Sequence, residues 1–292
     1  GMAAMPGYFP LYYEAKTGKL FLEIPRWNED FLYLVSLPEG VGSNDIGLDR
    51  GQPGNSRVVR FERFGPKIFL VQPNQDYRAE TSDPQQRQAV AESFAQSVLW
   101  AFTPEAEEGD RVLVDATAFF LRDVHGIPET LAGKKQGGYS LDEKRSAIYP
   151  DHTKNFPRNT EVEALLTFAG HDAGQWLASV TPSPDSLTVR EHHSFIALPE
   201  KPFTPRVFDP RAGFIGFSYA DYATPISEPL RKHFIIRHRL EKRDPSAAVS
   251  DPVTPIGYYL DPGAPQPIRS ALLEAARCWS QAVEAPGFRN GF

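Results

Sequence analysis

Two histidine pairs are the first candidates for metal chemistry in this sequence. The commonest zinc peptidase motif, HExxH, places two histidines one helical turn apart, with a glutamate beside the first. None of the seven histidines has this arrangement. His192 and His193 are neighbours in one predicted strand, and His233 and His238 lie five residues apart in another, so the members of each pair point to opposite faces. Neither pair is expected to bind a metal ion.

Other side chains have the chemistry of a nucleophile or of an acid–base pair. Ser218, in GFSYA, faintly resembles a nucleophile elbow, but the strand pattern continues and no helix is predicted after it. Glu161 and Glu163 share one strand face and would act on a glycoside only if they flanked a cleft. Cys278 lies inside a predicted helix, which favours a packed thiol. The sequence therefore predicts no catalytic residue, no cofactor-binding residue and no metal ligand in this chain.

The segments that carry these residues are predicted to be mostly strands. Alternating or continuous apolar runs are separated by connectors rich in proline and glycine, which is typical of many short strands joined by turns. The Gly-rich stretch 39–56 lacks the ending of a P-loop and is predicted to be a structured surface loop. Asp115 lies within an apolar run and is predicted to be a hydrogen-bonded structural acid. The predicted strands span 19–24, 30–37, 57–64, 66–72, 111–121, 161–168, 186–198, 213–222, 232–240 and 256–260.

One internal helix is predicted at 84–102. Asp83 is a good N-cap, and Pro84 suits the first helical position. Apolar residues then recur every four positions, which predicts one buried face. These residues are Val90, Phe94, Val98 and Phe102.

A second helix is predicted at 267–285, between Pro267 and Gly287. Its apolar residues form one continuous stripe with spacings of three and four. A tryptophan lies in this stripe, and burying so large a ring contributes about 2–3 kcal/mol. We therefore expect the stripe, which includes Ile268, Leu272, Trp279 and Val283, to be covered either by more chain or by docking on the β-rich part of this chain.

Composition excludes several classes of protein. The net charge of −6 and the pI near 5.7 argue against a nucleic-acid partner, since phosphate binding needs a clustered basic surface. The single cysteine excludes an internal disulfide and a cysteine-based metal site. No apolar run approaches the ~20 residues of a membrane span. The opening Gly-Met resembles a tag scar, so a signal peptide is presumed to have been removed.

The predicted fold class is mainly β (α+β), with two packed β-rich subdomains. We expect an N-terminal subdomain with the internal helix at 1–136 and a second subdomain at 137–250. The polar stretch 133–157 is expected to be a long connection or arm between them. Residues 251–292 are expected to be the leading strand and first helix of a further, truncated domain.

A resemblance to a known family underlies that last expectation. The stretch PIGYYLDPGAPQPIRSALLEAARCWSQAVEAPGF resembles the opening of the catalytic domain in large bacterial zinc-dependent, metzincin-like metalloproteases, where a strand and a Trp-bearing helix precede the HExxH helix. Upstream, the resemblance continues through stretches that form domains of unknown function in that family. They include GYFPLYYEAKTGKLFLEI, GSNDIGLDRGQPGNSRVVRFERFGPKIFLVQPNQDYRA, SFAQSVLWAF, LVDATAFFLRD, FPRNTEVEALLTF, HHSFIALP, PRVFDPRAGF, DYATPI and RHRLEKRDPSA.

The resemblance implies a parent enzyme that hydrolyses peptide bonds with a zinc-activated water. The HExxH residues are absent from this sequence, so the chain is expected to be an inactive accessory or propeptide-like region. Its implied partners are its own downstream catalytic domain, which would hold the zinc, and the peptide or protein substrate of the parent enzyme. The resemblance also implies that the catalytic domain packs on Ile268, Leu272, Trp279 and Val283. The implied location is periplasmic, secreted or at the cell surface.

Two alternatives remain open at this stage. One is a stand-alone β-rich module that binds peptide or glycan on exposed aromatic rings. The other is a self-sufficient hydrolase that uses Ser218 or the pair Glu161 and Glu163. The aromatic platform of the binding module would consist of Tyr8, Phe9, Tyr12, Tyr13, Tyr258 and Tyr259.

Overall fold

The structure is a computed structural model that describes residues 1–201 and 203–292. It is mainly β, with about 37% strand and 17% helix, so the predicted fold class is confirmed. The chain divides into two compact units. The first comprises residues 1–200 and 221–225, and the second comprises residues 201–220 and 226–292. The limit expected near residue 136 falls inside the first unit, and the limit expected near residue 250 falls inside the second.

The first unit is built from short strands with four small helices between them. Its helices are α1 Pro84–Ser93, α2 Thr117–Phe120, α3 Ile127–Gly133 and α4 Gln175–Val180. Its strands are β1 Ala3–Met5, β2 Leu11–Glu14, β3 Lys19–Ile24, β4 Phe31–Glu39, β5 Gln52–Phe64, β6 Lys67–Gln72, β7 Tyr77–Arg78, β8 Ser97–Phe102, β9 Pro104–Glu108, β10 Arg111–Asp115, β11 Gly138–Leu141, β12 Ala147–Ile148, β13 Lys154–Phe156, β14 Asn159–His171 and β15 Ser186–Ala197.

Two antiparallel sheets contain all of these strands except β7. A five-stranded sheet has the order β1-β2-β3-β10-β9. A nine-stranded sheet has the order β11-β14-β15-β4-β5-β6-β8, and β12 and β13 also pair with β14. Its longest ladder joins β14 to β15, from Asn159 opposite Ile196 to Ala169 opposite Ser186. Because β11, β12 and β13 all pair with β14, the polar stretch 133–157 belongs to the sheet, and its prediction as an arm is wrong.

Period-two alternation places the apolar core between the sheets. In β3 and β4, every second side chain is buried, as a strand with one face on the core requires. Aromatic rings dominate this core. The Phe195 ring lies 5.1 Å from that of Phe31, 5.2 Å from that of Tyr33 and 5.9 Å from that of Phe9, between ring centroids.

A second apolar cluster lies beneath α3, α4 and the Gly-rich loop. The loop between β4 and β5 was predicted to be a structured surface loop. It does connect two strands, but Ile46 and Leu48 within it are buried against Ile127, Leu131 and other apolar side chains. Part of this loop is therefore core.

The helix predicted at 84–102 is half helix and half strand. Asp83 caps α1 by accepting the N–H of Gln85, as predicted, but the helix ends at Ser93 and Phe94 is extended. β8 then begins and pairs with β6. The i+4 pattern predicted that Val98 would be buried on one helix face, but in β8 its side chain is 52% exposed. Pairing with β6 overrides the helical period in a stretch rich in strand-forming residues.

Two predicted strands also differ from the structure. The run 111–121 forms β10 only as far as Asp115, because Asp115 accepts the N–H of Thr117 and starts α2. The strand predicted at 256–260 has no regular secondary structure. The remaining predicted strands of 1–200 are present, with limits shifted by several residues in 161–168.

The second unit contains a β-hairpin and a C-terminal helical segment. Strands β16 Gly216–Asp221 and β17 Arg231–Ile235 pair antiparallel, with Phe217 opposite Phe234. Helices α5 Ile268–Arg277 and α6 Trp279–Glu284 follow, and Cys278 between them keeps right-handed helical angles. The helix predicted at 267–285 is therefore present with one local irregularity. In the described part of the chain, no helix combines the length and apolarity that crossing a membrane requires.

Candidate functional site

Paired strands bring five polar side chains together on one face of the nine-stranded sheet. Glu161 lies opposite Ser194 in the β14–β15 ladder, and Glu163 lies opposite His192. Directly opposite residues of an antiparallel pair share a face, so these side chains converge. Arg190 lies on the same face, one pair further along. We call Glu161, Glu163, Arg190, His192 and Ser194 the glutamate–histidine cluster.

Every carboxylate of the glutamate–histidine cluster has close partners. His192 bridges both acids, with Nε2 2.7 Å from Glu161 Oε2 and Nδ1 3.3 Å from Glu163 Oε2. The Ser194 hydroxyl donates to Glu161 Oε2 at 2.5 Å. Arg190 Nη1 lies 2.9 Å from Glu163 Oε1. Glu161 and Glu163 therefore do lie together, as predicted, but as ion-paired groups.

Burial and hydrogen bonding act in opposite directions on these groups. Burial alone would raise the pKa of Glu161, but hydrogen bonds from His192 and Ser194 outweigh it and lower the pKa. Burial alone would lower the pKa of His192, but hydrogen bonds to Glu161 and Glu163 raise it. The charged forms of both Glu161 and His192 are therefore favoured. Ser194 donates to the Glu161 carboxylate, which is also bound by His192, so these contacts join β14 to β15.

Replacing His192 by glutamine is expected to make stability less dependent on pH. The raised pKa of His192 means that its contribution is complete below its unfolded value of 6.5 and is lost as pH rises through the folded pKa. Glutamine keeps a donor but not the charge. We expect His192→Gln to cost about 1–2 kcal/mol at about pH 6 and little at about pH 9 in urea unfolding. An equal cost at both pH values would contradict the charged bridge.

A second polar group lies inside the core and was not predicted from the sequence. Val189, Glu191, His193 and Phe195 occupy every second position of β15, so all four side chains lie on the buried face of the strand. Both are fully buried. This alternation was readable in VREHHSF, and it is the signal that the sequence reasoning missed. His192, between them, points to the opposite face, as predicted for the His192–His193 pair.

The buried acid holds the segment that leads into α3. Glu191 accepts the N–H of Val124 at 3.0 Å through Oε1. Asp123 accepts the N–H groups of Gly126 and Ile127, both at 2.9 Å, so it fixes the turn that leads into α3. The negative charge of Asp123 also acts on Glu191 and helps to raise the pKa of Glu191.

Burial decides the protonation of these groups. It raises the pKa of Glu191 to about 8, assisted by the nearby charge of Asp123. It lowers the pKa of His193 to about 3 and raises the pKa of Tyr33, whose hydroxyl lies 2.8 Å from His193 Nδ1. Glu191 and His193 are thus mostly neutral at pH 7. We call Tyr33, Asp123, Glu191 and His193 the buried acid–histidine network. Tyr33, Glu191 and His193 are fully buried, and Asp123 at its edge is partly exposed.

The other candidates from the sequence lie apart from both groups. Ser218 lies in strand β16, as the continuing strand pattern predicted, and accepts from Arg231 Nη1 at 2.8 Å. Asp115 pairs with Lys19 at 2.8 Å and accepts the N–H of Thr117 at 3.0 Å, so it is a hydrogen-bonded acid, as predicted. Cys278 is exposed, so the prediction of a packed thiol is wrong. Its position at the junction of α5 and α6 leaves its side chain uncovered.

The aromatic platform of the binding-module alternative is not assembled as predicted. Tyr8 and Phe9 are buried in the core, and the Tyr12 hydroxyl donates to Glu23 at 2.7 Å. Tyr258 and Tyr259 are exposed, but they belong to the second unit. Buried rings offer no surface for stacking a ligand.

The predicted interface on the C-terminal helices is largely exposed. Ile268 is 55% exposed, Leu272 46% and Trp279 64%. Val283, by contrast, is only 9% exposed. The chain turns back at this point, and the Phe288 N–H donates to the Val283 carbonyl. The free apolar face therefore consists of Ile268, Leu272 and Trp279, and we call it the C-terminal apolar face. Val283 stabilises the second unit from within.

Comparison with known proteins gives one match. The family model described as Domain of unknown function (DUF5117) matches residues 51–243. No curated protein and no solved structure matches the chain. Within residues 1–201 and 203–292, no three histidine, cysteine, aspartate or glutamate side chains converge in a way that would hold a metal ion.

Proposed function

The chain belongs to the family of domains of unknown function DUF5117, and from this premise we propose that it is a non-catalytic accessory region of a zinc-dependent metallopeptidase. The resemblance of its sequence to the N-terminal regions of metzincin-like proteases supports this proposal. Under this proposal, the chain braces or guides a downstream catalytic domain that cleaves a peptide or protein substrate. The same resemblance supports a periplasmic or secreted location.

The observation that carries this proposal is the C-terminal apolar face. Ile268, Leu272 and Trp279 are spaced by four and seven residues, so they lie on one side of the helical segment. Exposed tryptophan and leucine side chains that cluster in this way are typical of a surface that packs against a partner. The proposed partner surface is the remainder of the protease domain, to which the resemblance assigns this helix.

Zinc belongs, in this proposal, to the catalytic domain and not to this chain. The histidines of the described residues do not assemble a site: His193 is buried beside Tyr33, and His233 stacks on Phe208 with ring centroids 3.9 Å apart. Glu161 and Glu163 are occupied by His192 and Arg190. We therefore derive no step of peptide hydrolysis from residues of this chain.

Replacing Trp279 by alanine is expected to separate partner binding from stability. An exposed side chain contributes little to folding, so the free energy of unfolding of the chain should change by less than about 0.5 kcal/mol. A tryptophan at an interface typically contributes about 2–4 kcal/mol, so affinity for the separately purified catalytic domain should fall at least about 30-fold. Isothermal titration calorimetry measures this affinity.

Tyr259→Ala is the matched control, because Tyr259 is a fully exposed aromatic residue of the same unit outside the helices. It should leave the affinity unchanged. Unaltered affinity of Trp279→Ala, or a loss that is equal in the two variants, would contradict the proposed packing.

A further inference from the structure

The end strands of both sheets meet at one cavity in the first unit. β8 and β11 are the two ends of the nine-stranded sheet, and β9 is an end of the five-stranded sheet. A cavity of about 620 Å³ is lined by residues of all three strands, including Trp100, Glu105 and Leu141. Its volume lies within the range of ligand-binding clefts, about 300–1,000 Å³.

End strands carry backbone groups that no neighbouring strand satisfies. Such edges bind extended peptides by adding a strand, with backbone hydrogen bonds providing affinity. In β8, one backbone acceptor is bound by a side chain: Arg122 Nη1 donates to the Leu99 carbonyl at 3.3 Å. An extended segment in the cavity would contact residues of all three end strands.

The lining of the cavity combines apolar contact with a small excess of negative charge. Trp100, Leu121 and Leu141 supply apolar surface, and the Trp100 ring is held edge-on against Phe102 and Phe119. Such a fixed ring is a rigid contact for an aliphatic side chain.

Three carboxylates and two cations set the charge at the cavity. Asp115 is neutralised by Lys19 at 2.8 Å. Arg122 is stacked 4.5 Å from the Phe119 ring centroid, with its Nε donating to the Phe119 carbonyl. Glu105 and Glu143 also line the cavity, and among the described residues neither forms an ion pair within 4 Å. One negative charge is left over after the two cations are counted against the three acids.

We propose that this cavity binds an extended peptide segment that carries a basic side chain. The segment adds a strand at the sheet edges, its apolar side chains contact Trp100 and Leu141, and its lysine or arginine faces Glu105 and Glu143. The site does not depend on the proposed protease partnership, because it lies in the first unit, whereas the C-terminal apolar face lies in the second.

Fluorescence anisotropy with two labelled peptides tests this site. One probe is an eight-residue peptide in which valine and lysine alternate, and the other has glutamate in place of lysine. We expect saturable binding of the lysine peptide below about 1 mM and none of the glutamate peptide, with affinity falling as salt rises. Equal binding of both peptides, or no binding of the lysine peptide, would overturn the proposal.

Variants localise the binding. Glu105→Gln combined with Glu143→Gln should weaken the lysine peptide about fivefold and reduce its salt dependence. Glu92→Gln combined with Glu129→Gln removes two exposed charges away from the cavity and should change nothing. Ala118→Trp places a large ring in the cavity from an exposed position of α2 and should abolish binding while the melting temperature is kept. Unchanged binding in both cavity variants would overturn the proposal.

Discussion

Replacing Phe195 by alanine is expected to lower the free energy of unfolding by about 3–5 kcal/mol, the range for removing a large buried ring. Phe195 is 1% exposed and contacts rings from several strands and from α2, including Phe31, Phe61 and Phe119. The truncation would leave a void among rings that are fixed by one another, so little collapse can offset the loss. Urea unfolding followed by circular dichroism measures the change.

Phe156→Ala is the matched control for this variant. Phe156 is the same residue type and also lies in a strand of the first unit, but its side chain is largely exposed. It should cost less than about 0.5 kcal/mol. A similar cost for the two variants would contradict the placement of the core between the sheets.

Replacing Glu191 by glutamine is expected to increase stability in alkaline solution and to flatten its dependence on pH. The pKa of Glu191 rises from an ordinary 4.5 to about 8 on folding, so the folded state binds the extra proton between these values. The free energy of unfolding therefore falls as pH rises from about 4.5 through about 8. Glutamine mimics the protonated acid, since it is uncharged and can still accept from the Val124 N–H.

His193 acts in the opposite direction over part of this range. The pKa of His193 falls from 6.5 to about 3 on folding. Its contribution to the free energy of unfolding is therefore present above pH 6.5 and is lost as pH falls from 6.5 to about 3. The two effects oppose one another between about pH 4.5 and 6.5, and the effect of Glu191 is seen without that of His193 from about pH 6.5 to 8. Comparing wild type with Glu191→Gln also cancels the contribution of His192, whose raised pKa acts in the same direction as that of Glu191.

The measurement is urea unfolding of wild type and Glu191→Gln at about pH 6 and about pH 9. We expect the difference in unfolding free energy between the two proteins to shift by about 2–4 kcal/mol in favour of the variant as pH rises. The Asp115→Asn variant is the control, because the pKa of Asp115 is lowered and that of its partner Lys19 is raised, so neither group titrates between about pH 6 and 9. A constant difference between wild type and Glu191→Gln would contradict a protonated buried acid.

The strands could be predicted because their residues follow the period of a pleated sheet. KLFLEI and SLTVREHHSFIA alternate, and both are strands with one face buried. The stretch 84–102 misled the prediction because Val90, Phe94, Val98 and Phe102 fit a helical period by chance. Its second half was decided by pairing with β6, and no local pattern reports a pairing partner far along the chain.

The candidate sites were predicted only in part, for a similar reason. Glu161 and Glu163 were recognised as sharing a strand face, but their partners His192 and Ser194 come from the neighbouring strand, and register is not visible in the sequence. The cavity between β8, β9 and β11 depends on where two sheets end. Cys278 was predicted to be packed because mid-helix thiols usually are, but its surroundings in the second unit leave it exposed.

Hydrogen exchange of the C-terminal helices tests the proposed function most directly. The chain would be compared, by mass spectrometry, with a longer native polypeptide that includes the proposed catalytic domain, and the zinc content of both would be measured. We predict that amides of 268–284 exchange markedly more slowly in the longer polypeptide, which alone holds one zinc ion and cleaves peptide. Unchanged exchange at these amides, or stoichiometric zinc with peptidase activity in the 292-residue chain itself, would contradict the account.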